Sequence, residues 1–298
     1  MKRSINHFAM RFFRTALVGF VFLSPCGLWA EGTLKVGAFN IQIFGESKVA
    51  KPHVLEVLAK IATNYDLLAV EEVGSNGSTA TDQTCIDVMD RYVSAINKSD
   101  GSTDFSYVRG NQYALVYRTS KLKASSPSVY SGTQHLTYAP LTAFFNALDG
   151  NLDFSVVVIH TSPKSARVEI PALKIVMSEV AQANKDPDVI CMGDFNADGA
   201  YYSEGSDPYL AGYPQDQYVS AIKNTEDTTV AKSSNTYDRI ELSRTLKEDF
   251  EGESGVLEYT ENLDVSQVEG TAKNAGTASA VSDHWPVWAV LWTDRDTD

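Results

Sequence analysis

Six short apolar runs recur along the chain, and their order constrains the fold more than any other feature. They cover residues 33–43 (TLKVGAFNIQI), 66–70 (DLLAV), 113–118 (YALVYR), 152–160 (LDFSVVVIH), 188–192 (DVICM) and 286–292 (PVWAVLW). Between them the apolar period changes from two to that of a helix. Val54, Leu58 and Ile61 share one face behind Pro52; Ile86, Met89, Val93 and Ile96 share another; Ile170, Leu173, Val176, Met177 and Val180 make a third. Strands that alternate with covering helices specify an α/β protein. No internal repeat, heptad or low-complexity linker interrupts the pattern, so a single domain over 31–298 is expected. The acidic, glycine-spotted stretch from Glu248 to Gly270 reads as a surface excursion.

The first thirty residues follow a different logic. Lys2, Arg3, Arg11 and Arg14 occur there with no acidic residue; apolar residues 15–23 (TALVGFVFL) follow, then Ser24-Pro25. This order reads as a secretory signal cleaved after Ala30. Its apolar run is well short of the roughly 20 residues that span a bilayer, so no stable membrane insertion is expected. Pro25 stands before Cys26 where a lipidation site wants a small residue. Removing 30 residues with four cations and no acid leaves 268 residues and takes the net charge from −13 to −17. Two cysteines then remain, Cys85 and Cys191, too few for a disulfide framework in an exported chain. Cys191 lies in an apolar run and is expected to be a buried thiol.

The ends of the apolar runs carry the chemistry. The first contains Asn40, the second leads into Glu71-Glu72, and the fourth ends in His160; the fifth leads into Gly193-Asp194-Phe195-Asn196, and Ser282-Asp283-His284 precedes the last. Each has an ordinary reading alone: a turn asparagine, a solvated acid pair, a hydrogen-bonded structural histidine. Together they place two imidazoles, several carboxylates and two carboxamides at strand ends. That inventory suits metal-assisted phosphoryl chemistry, because carboxylates hold a hard dication and histidine moves protons near neutral pH.

AFNIQIFGESK (38–48), YDLLAVEEV (65–73), IHTSP (159–163), MGDFNAD (192–198), YDRI (237–240) and SDHWPV (282–287) stand in one order. On these six motifs the chain resembles the deoxyribonuclease I family, within the endonuclease/exonuclease/phosphatase superfamily. The resemblance implies a four-layer α/β/β/α sandwich, two packed β-sheets flanked by helices. It implies His284 as general base with Asp238 fixing its tautomer, and His160 as general acid or phosphate contact. Asp194 and Asn196 would position phosphate and water, and Asp194 is also a candidate for a second metal. Glu72 would hold Mg²⁺ or Mn²⁺, with Asn40 and Asp283 nearby. Ordinary alternatives are an Asp238–Arg239 ion pair and a turn role for Asn196. Asp227 and Thr229 match the spacing of a structural Ca²⁺ loop in the family, where hard oxygens suit that ion; a polar surface turn is the alternative.

Three departures from the family bear on substrate binding. Gln42 replaces an arginine that reaches the minor groove, and Tyr138 stands where an arginine touches phosphate. The glutamate that pairs with the acid histidine is missing, with Asn111 the nearest stand-in. The cysteines that would bridge the loop after MGDFNAD are absent, Gly199 taking one position. The implied activity is metal-dependent hydrolysis of DNA by an exported (secreted or periplasmic) monomer. Two alternatives are a phosphodiesterase or phosphatase acting on a lipid or small phosphoester, and a nuclease-like toxin or interaction subunit. A charge of −13 lacks the basic footprint of a nucleic-acid binder. Carboxylates that hold cations reconcile the two, and turnover does not require tight binding.

Overall fold

Strands covered on both faces read as unbroken apolar runs, and the longest runs of this chain occupy central sheet positions. The computed structural model describes residues 32–74, 82–203, 205 and 208–298; the secretory signal expected over 1–30 lies outside them. In chain order the elements are β1 (Thr33–Phe44), α1 (Glu46–Val49), α2 (Pro52–Ala62), β2 (Leu67–Val73), α3 (Asp82–Asp100), β3 (Phe105–Gly110), β4 (Tyr113–Arg118) and β5 (Leu122–Val129). There follow β6 (Leu141–Ala147), β7 (Asp153–His160), α4 (Ala166–Asn184), β8 (Val189–Asp194), β9 (Tyr218–Ser220), β10 (Asp238–Ser243), β11 (Phe250–Val256) and β12 (Val287–Trp292). They form two six-stranded sheets, ordered β11-β12-β1-β2-β4-β3 and β5-β6-β7-β8-β10-β9.

Alternation along β1 separates two apolar layers. Leu34, Val36 and Ala38 meet Leu67, Phe145, Val156, Met192 and Ile240 between the sheets. Phe39 and Ile41 face the other way, against Val54 and Leu58 of α2 and Met89 and Tyr92 of α3. A third layer joins Ile170, Leu173 and Val176 of α4 to Val157, Ile159 and Cys191. Three apolar layers make four structural ones, the sandwich that the resemblance implies. Burial at about 25 cal/mol per Å² of apolar surface drives this stacking. Cys85 and Cys191 are both free and buried. No helix among the described residues is long and apolar enough to cross a membrane.

The stretch after Glu248 is not the surface excursion expected. Its first part, β11, pairs antiparallel with β12 at the sheet edge. Farther on, Tyr259 and Val268 are buried in the helix-side core, and the Tyr259 ring packs edge-on against Trp285 at 4.7 Å. The acidic residues between them mask these anchors in the sequence.

Candidate active site

Strand register brings the polar residues together. In the second sheet His160 at the end of β7 lies opposite Asp194 on parallel β8, and Asp194 lies opposite Asp238 on antiparallel β10. In the first sheet Asn40 on β1 pairs with Glu71 on β2, and Glu72 follows. Ser282-Asp283-His284 enters β12 beside them: Ser282 Oγ donates to the Asn40 carbonyl (2.7 Å), and His284 N–H donates to Ser282 Oγ (3.1 Å).

Asp194 is the hub. Its Oδ2 accepts a hydrogen bond from Asn40 Nδ2 (3.1 Å) and lies 3.5 Å from both His160 Nε2 and His284 Nε2. Asn40 Nδ2 also donates to Glu72 Oε1 of its own sheet (3.0 Å), so its bond to Asp194 ties both residues to the second sheet. His284 Nδ1 lies 2.8 Å from Asp238 Oδ2, and Asp238 is fully buried. The alternative ion pair is therefore not formed: Arg239 turns to the Ile222 carbonyl and Asn224 Oδ1. Burial alone would drive the His284 pKa down, but Asp238, Asp194 and Asp283 hold it well above the usual imidazole range. Glu71 is not part of a solvated acid pair. It is fully buried, one oxygen accepts the Asp194 N–H (2.8 Å), and the other has no partner. Burial, with Asp238 and Asp194 nearby, raises its pKa strongly.

Backbone strain concentrates here, as it does at functional sites. Gln42 and Ile43 (φ 51°), Glu72 (φ 60°) and Asn196 (φ 47°) adopt left-handed conformations. The first two form an irregularity in the β1–β2 pairing between Asn40 and Phe44; the Ile43 N–H then donates to Glu72 Oε2 (2.6 Å). At Gly193 (φ +140°) a Cβ would stand 2.0 Å from the Ile159 carbonyl, so only glycine lets Asp194 follow β8 against β7.

Lys48 is a residue that sequence reasoning missed. Its side chain is buried, and Nζ donates to the carbonyls of Ile41 (2.6 Å), Gln42 (2.5 Å) and Val281 (2.9 Å). It thus pins the strained turn after Asn40 to the segment before His284. Burial lowers its pKa to about 8, opposed by Asp283 and Glu72. The available signal was a lysine that closes FGESK only a few residues after a site asparagine. Orphaning three buried carbonyls in Lys48→Met is expected to cost about 2–4 kcal/mol of stability, read as a lower urea midpoint at unchanged slope.

The other expected residues divide. Asn196 donates its N–H to Asp194 Oδ1 (2.9 Å) and its side-chain amide to the Thr161 carbonyl (3.0 Å), which braces the turn. Asp283 is exposed, with Oδ1 3.9 Å from His284 Nε2. Tyr138 sets its ring 5.8 Å from that of His160, while Tyr237 stands 6.3 Å from the His284 ring. Gln42 donates its backbone N–H to Asn40 Oδ1 (2.9 Å). Asn111 does not replace the missing glutamate. It occupies the left-handed tip of the β3–β4 hairpin, and its amide donates to the Ala139 carbonyl (3.4 Å). His160 nevertheless has acidic neighbours, with Glu72 Oε1 3.9 Å from Nδ1 on one side and Asp194 on the other.

Asp227 and Thr229 lie in a folded loop. Asp227 Oδ1 accepts from Thr229 N, Thr229 Oγ1 and Asn235 N, and Thr229 Oγ1 also reaches the Ser233 carbonyl (2.9 Å). Thr229 bridges His284 antiparallel, and Trp285 N–H donates to the Thr228 carbonyl (2.8 Å). The loop therefore buttresses the segment that carries His284.

The donor set fits a hard divalent cation. Ligand atoms of Asp194, Asp238 and His284 lie within 4.8 Å of one another, Asp238 Oδ1 is buried without a partner, and Glu72 Oε1 faces the same space. Carboxylate and carboxamide oxygens suit Mg²⁺ or Mn²⁺.

Residues 37–219 match the Endonuclease/Exonuclease/phosphatase family. The chain is 29% identical over 290 residues to deoxyribonuclease-1 of Rattus norvegicus, covering 93% of this chain and 98% of that protein. It is 28% identical to deoxyribonuclease-1-like 2 of Mus musculus, covering 87% and 94%. An endonuclease/exonuclease/phosphatase family protein from Bacteroides thetaiotaomicron superposes with a TM-score of 0.61 at 18% identity, covering 89% of this chain and 96% of that one. A mannosyl-6-phosphatase from the same organism superposes with a TM-score of 0.56 at 17% identity, covering 87% and 99%. The two structures speak for the fold alone.

Proposed function

We propose that this chain, which belongs to the endonuclease/exonuclease/phosphatase family, is an exported, metal-dependent endonuclease that hydrolyses DNA phosphodiester bonds. The observation that carries this reading is the row His160–Asp194–Asp238, completed by His284 at hydrogen-bond distance from Asp238 and by Asn40 and Glu72 from the facing sheet. The two deoxyribonuclease relatives, similar over nearly the whole chain, support DNA as the substrate.

Each group has a role that its geometry supports. Asp238 orients His284 so that Nδ1–H points inward and Nε2 faces the cleft, where it takes the proton of the attacking water. His160, across Asp194 on the other side, gives a proton to the leaving oxygen. Asn40 aligns Glu72 and Asp194 by donating to both. Tyr138 and Tyr237 flank the two imidazoles and offer ring faces to sugar or base. A cation held by Glu72 and Asp194 would relieve charge on the phosphoryl oxygens. The Asp227–Thr229 loop gathers a carboxylate, a hydroxyl and the Ser233 carbonyl, an oxygen set suited to structural Ca²⁺. Export rests on the basic–apolar–polar order of residues 1–30, and the chain is read as a monomer.

The test sets supercoiled plasmid beside RNA, sphingomyelin and a phosphomonoester, with Mg²⁺, Mn²⁺ or EDTA. Plasmid is expected to be nicked with either metal at least about tenfold faster than any small phosphoester turns over, and EDTA to abolish nicking. Nicking that survives EDTA, or faster turnover of a small or lipid ester, refutes the reading.

A further inference from the structure

The opposite end of the sandwich gathers carboxylates from four separate stretches of chain. Asp186 and Asp188 lie between α4 and β8, Asp249 precedes β11, Asp296 and Asp298 follow β12, and Asp153 opens β7. Ligand oxygens of Asp186, Asp188 and Asp298 lie within 4.8 Å of one another. None of the ion pairs among the described residues involves any of these six acids.

Crowded surface acids need no ligand, but two of these are not at the surface. Asp188 is 1% exposed and Asp249 is 2% exposed, and Oδ1 of each is buried with no hydrogen-bond partner. A ligand oxygen of Asp188 lies within 4.8 Å of those of Asp186 and Asp298, so its carboxylate faces into the cluster. A buried carboxylate oxygen without a donor is costly. A positive ion held among Asp186, Asp188 and Asp298 would offset the charge of buried Asp188, on which Asp249 also bears.

We infer that Asp186, Asp188 and Asp298, backed by Asp249, form a Ca²⁺ site remote from the catalytic cleft. The spacing suits that ion: ligands about 2.4 Å from a central Ca²⁺ stand up to about 4.8 Å apart. The chemistry suits it as well, since every donor is a hard oxygen and the loops that carry them are irregular. One Asp186 oxygen accepts the Asp188 N–H (2.8 Å), and the carboxyl also pairs with that of Asp153, an acid–acid contact that a cation would relieve. The site is separated from Asp194 by the length of β8, about 20 Å at the usual strand rise. A cation there would fasten the segment after β12 to the base of both sheets, where Asn151 Nδ2 already donates to the Asp296 carbonyl (2.6 Å).

Calorimetric titration of the protein with CaCl₂ tests this, alongside Asp188→Asn, Asp298→Asn and, for the other loop, Asp227→Ala. The protein is expected to lose one Ca²⁺ equivalent in Asp188→Asn and to bind that equivalent at least about tenfold more weakly in Asp298→Asn. Asp227→Ala is expected to keep it. Saturating Ca²⁺ should raise Tm by about 5 °C or more, and Asp188→Asn should lose the share due to this site. Plasmid nicking with Mg²⁺ should be unchanged in both carboxamide variants. Asp298 is exposed, so its variant decides the matter if Asp188→Asn fails to fold. Equal stoichiometry, affinity and Tm shift in the parent protein and Asp298→Asn would overturn the inference and leave an acid cluster that shares protons only.

Discussion

His284→Ala is expected to lower the rate of plasmid nicking by about 10³–10⁴-fold, with circular dichroism like that of the parent protein and a lower Tm because buried Asp238 loses its partner. The size follows from the position. Asp238 lies 2.8 Å from Nδ1, so Nε2 is the nitrogen left to face the cleft, 3.5 Å from Asp194 Oδ2. Among the described residues the other imidazole that adjoins that carboxylate is His160, which approaches with its own Nε2 at 3.5 Å. Asp238→Asn should lose nearly as much, because a carboxamide no longer compels the Nδ1–H tautomer. The two substitutions act on one unit, so the double variant should be little worse than His284→Ala alone. Independent, multiplying losses would show that Asp238 acts elsewhere. A His284→Ala protein within tenfold of the parent rate would remove His284 from the chemistry.

Much of this architecture was readable from residue types, and the exceptions have physical causes. β1, β7 and β8 announce themselves because both faces are covered and almost every residue is apolar. β10 (DRIELS) does not, because its polar side chains are buried and find partners inside the protein: Arg239 a carbonyl and Asn224, Glu241 the Ser220 Oγ at 2.5 Å. β5 (LKASSPSV) is an edge strand, half-exposed and broken by Pro127, so it reads as loop. At the site, the motif resemblance supplied Asp238, whose partner lies 46 residues away and only across the sheet edge. Lys48 and Glu71 escaped because charged residues are presumed solvated. Their burial depends on what the other sheet and the segment before β12 place beside them. Asn111 failed as a stand-in because a hairpin tip sets backbone direction before it sets side-chain reach.

Asp194→Asn is expected to lower kcat/KM by about 10²–10³-fold and to move the acidic limb of its pH profile toward lower pH. The first effect follows from removing the one carboxylate that both imidazoles and Asn40 share. The second has a sign fixed by His284. Burial lowers the pKa of that ring, while Asp238 first and Asp194 next raise it, and the raising groups win. A general base works as the neutral ring, so activity climbs as pH rises through this pKa. Deleting the Asp194 charge removes part of what holds the proton, and the climb begins earlier. Mg²⁺ bound beside Asp194 should act in the same direction, so ¹⁵N signals of His284 should report an imidazolium at pH 7 without metal and a neutral ring with it. Stability follows the linkage: a pKa raised on folding contributes fully below about pH 6.5 and is lost as pH rises through the folded value. Metal-free parent protein should therefore lose Tm above about pH 6.5, and Asp194→Asn should lose less. A damaged fold would depress rate at every pH without moving the limb. A limb that stays in place, or moves toward alkali, would show that Asp194 does not govern the charge of His284.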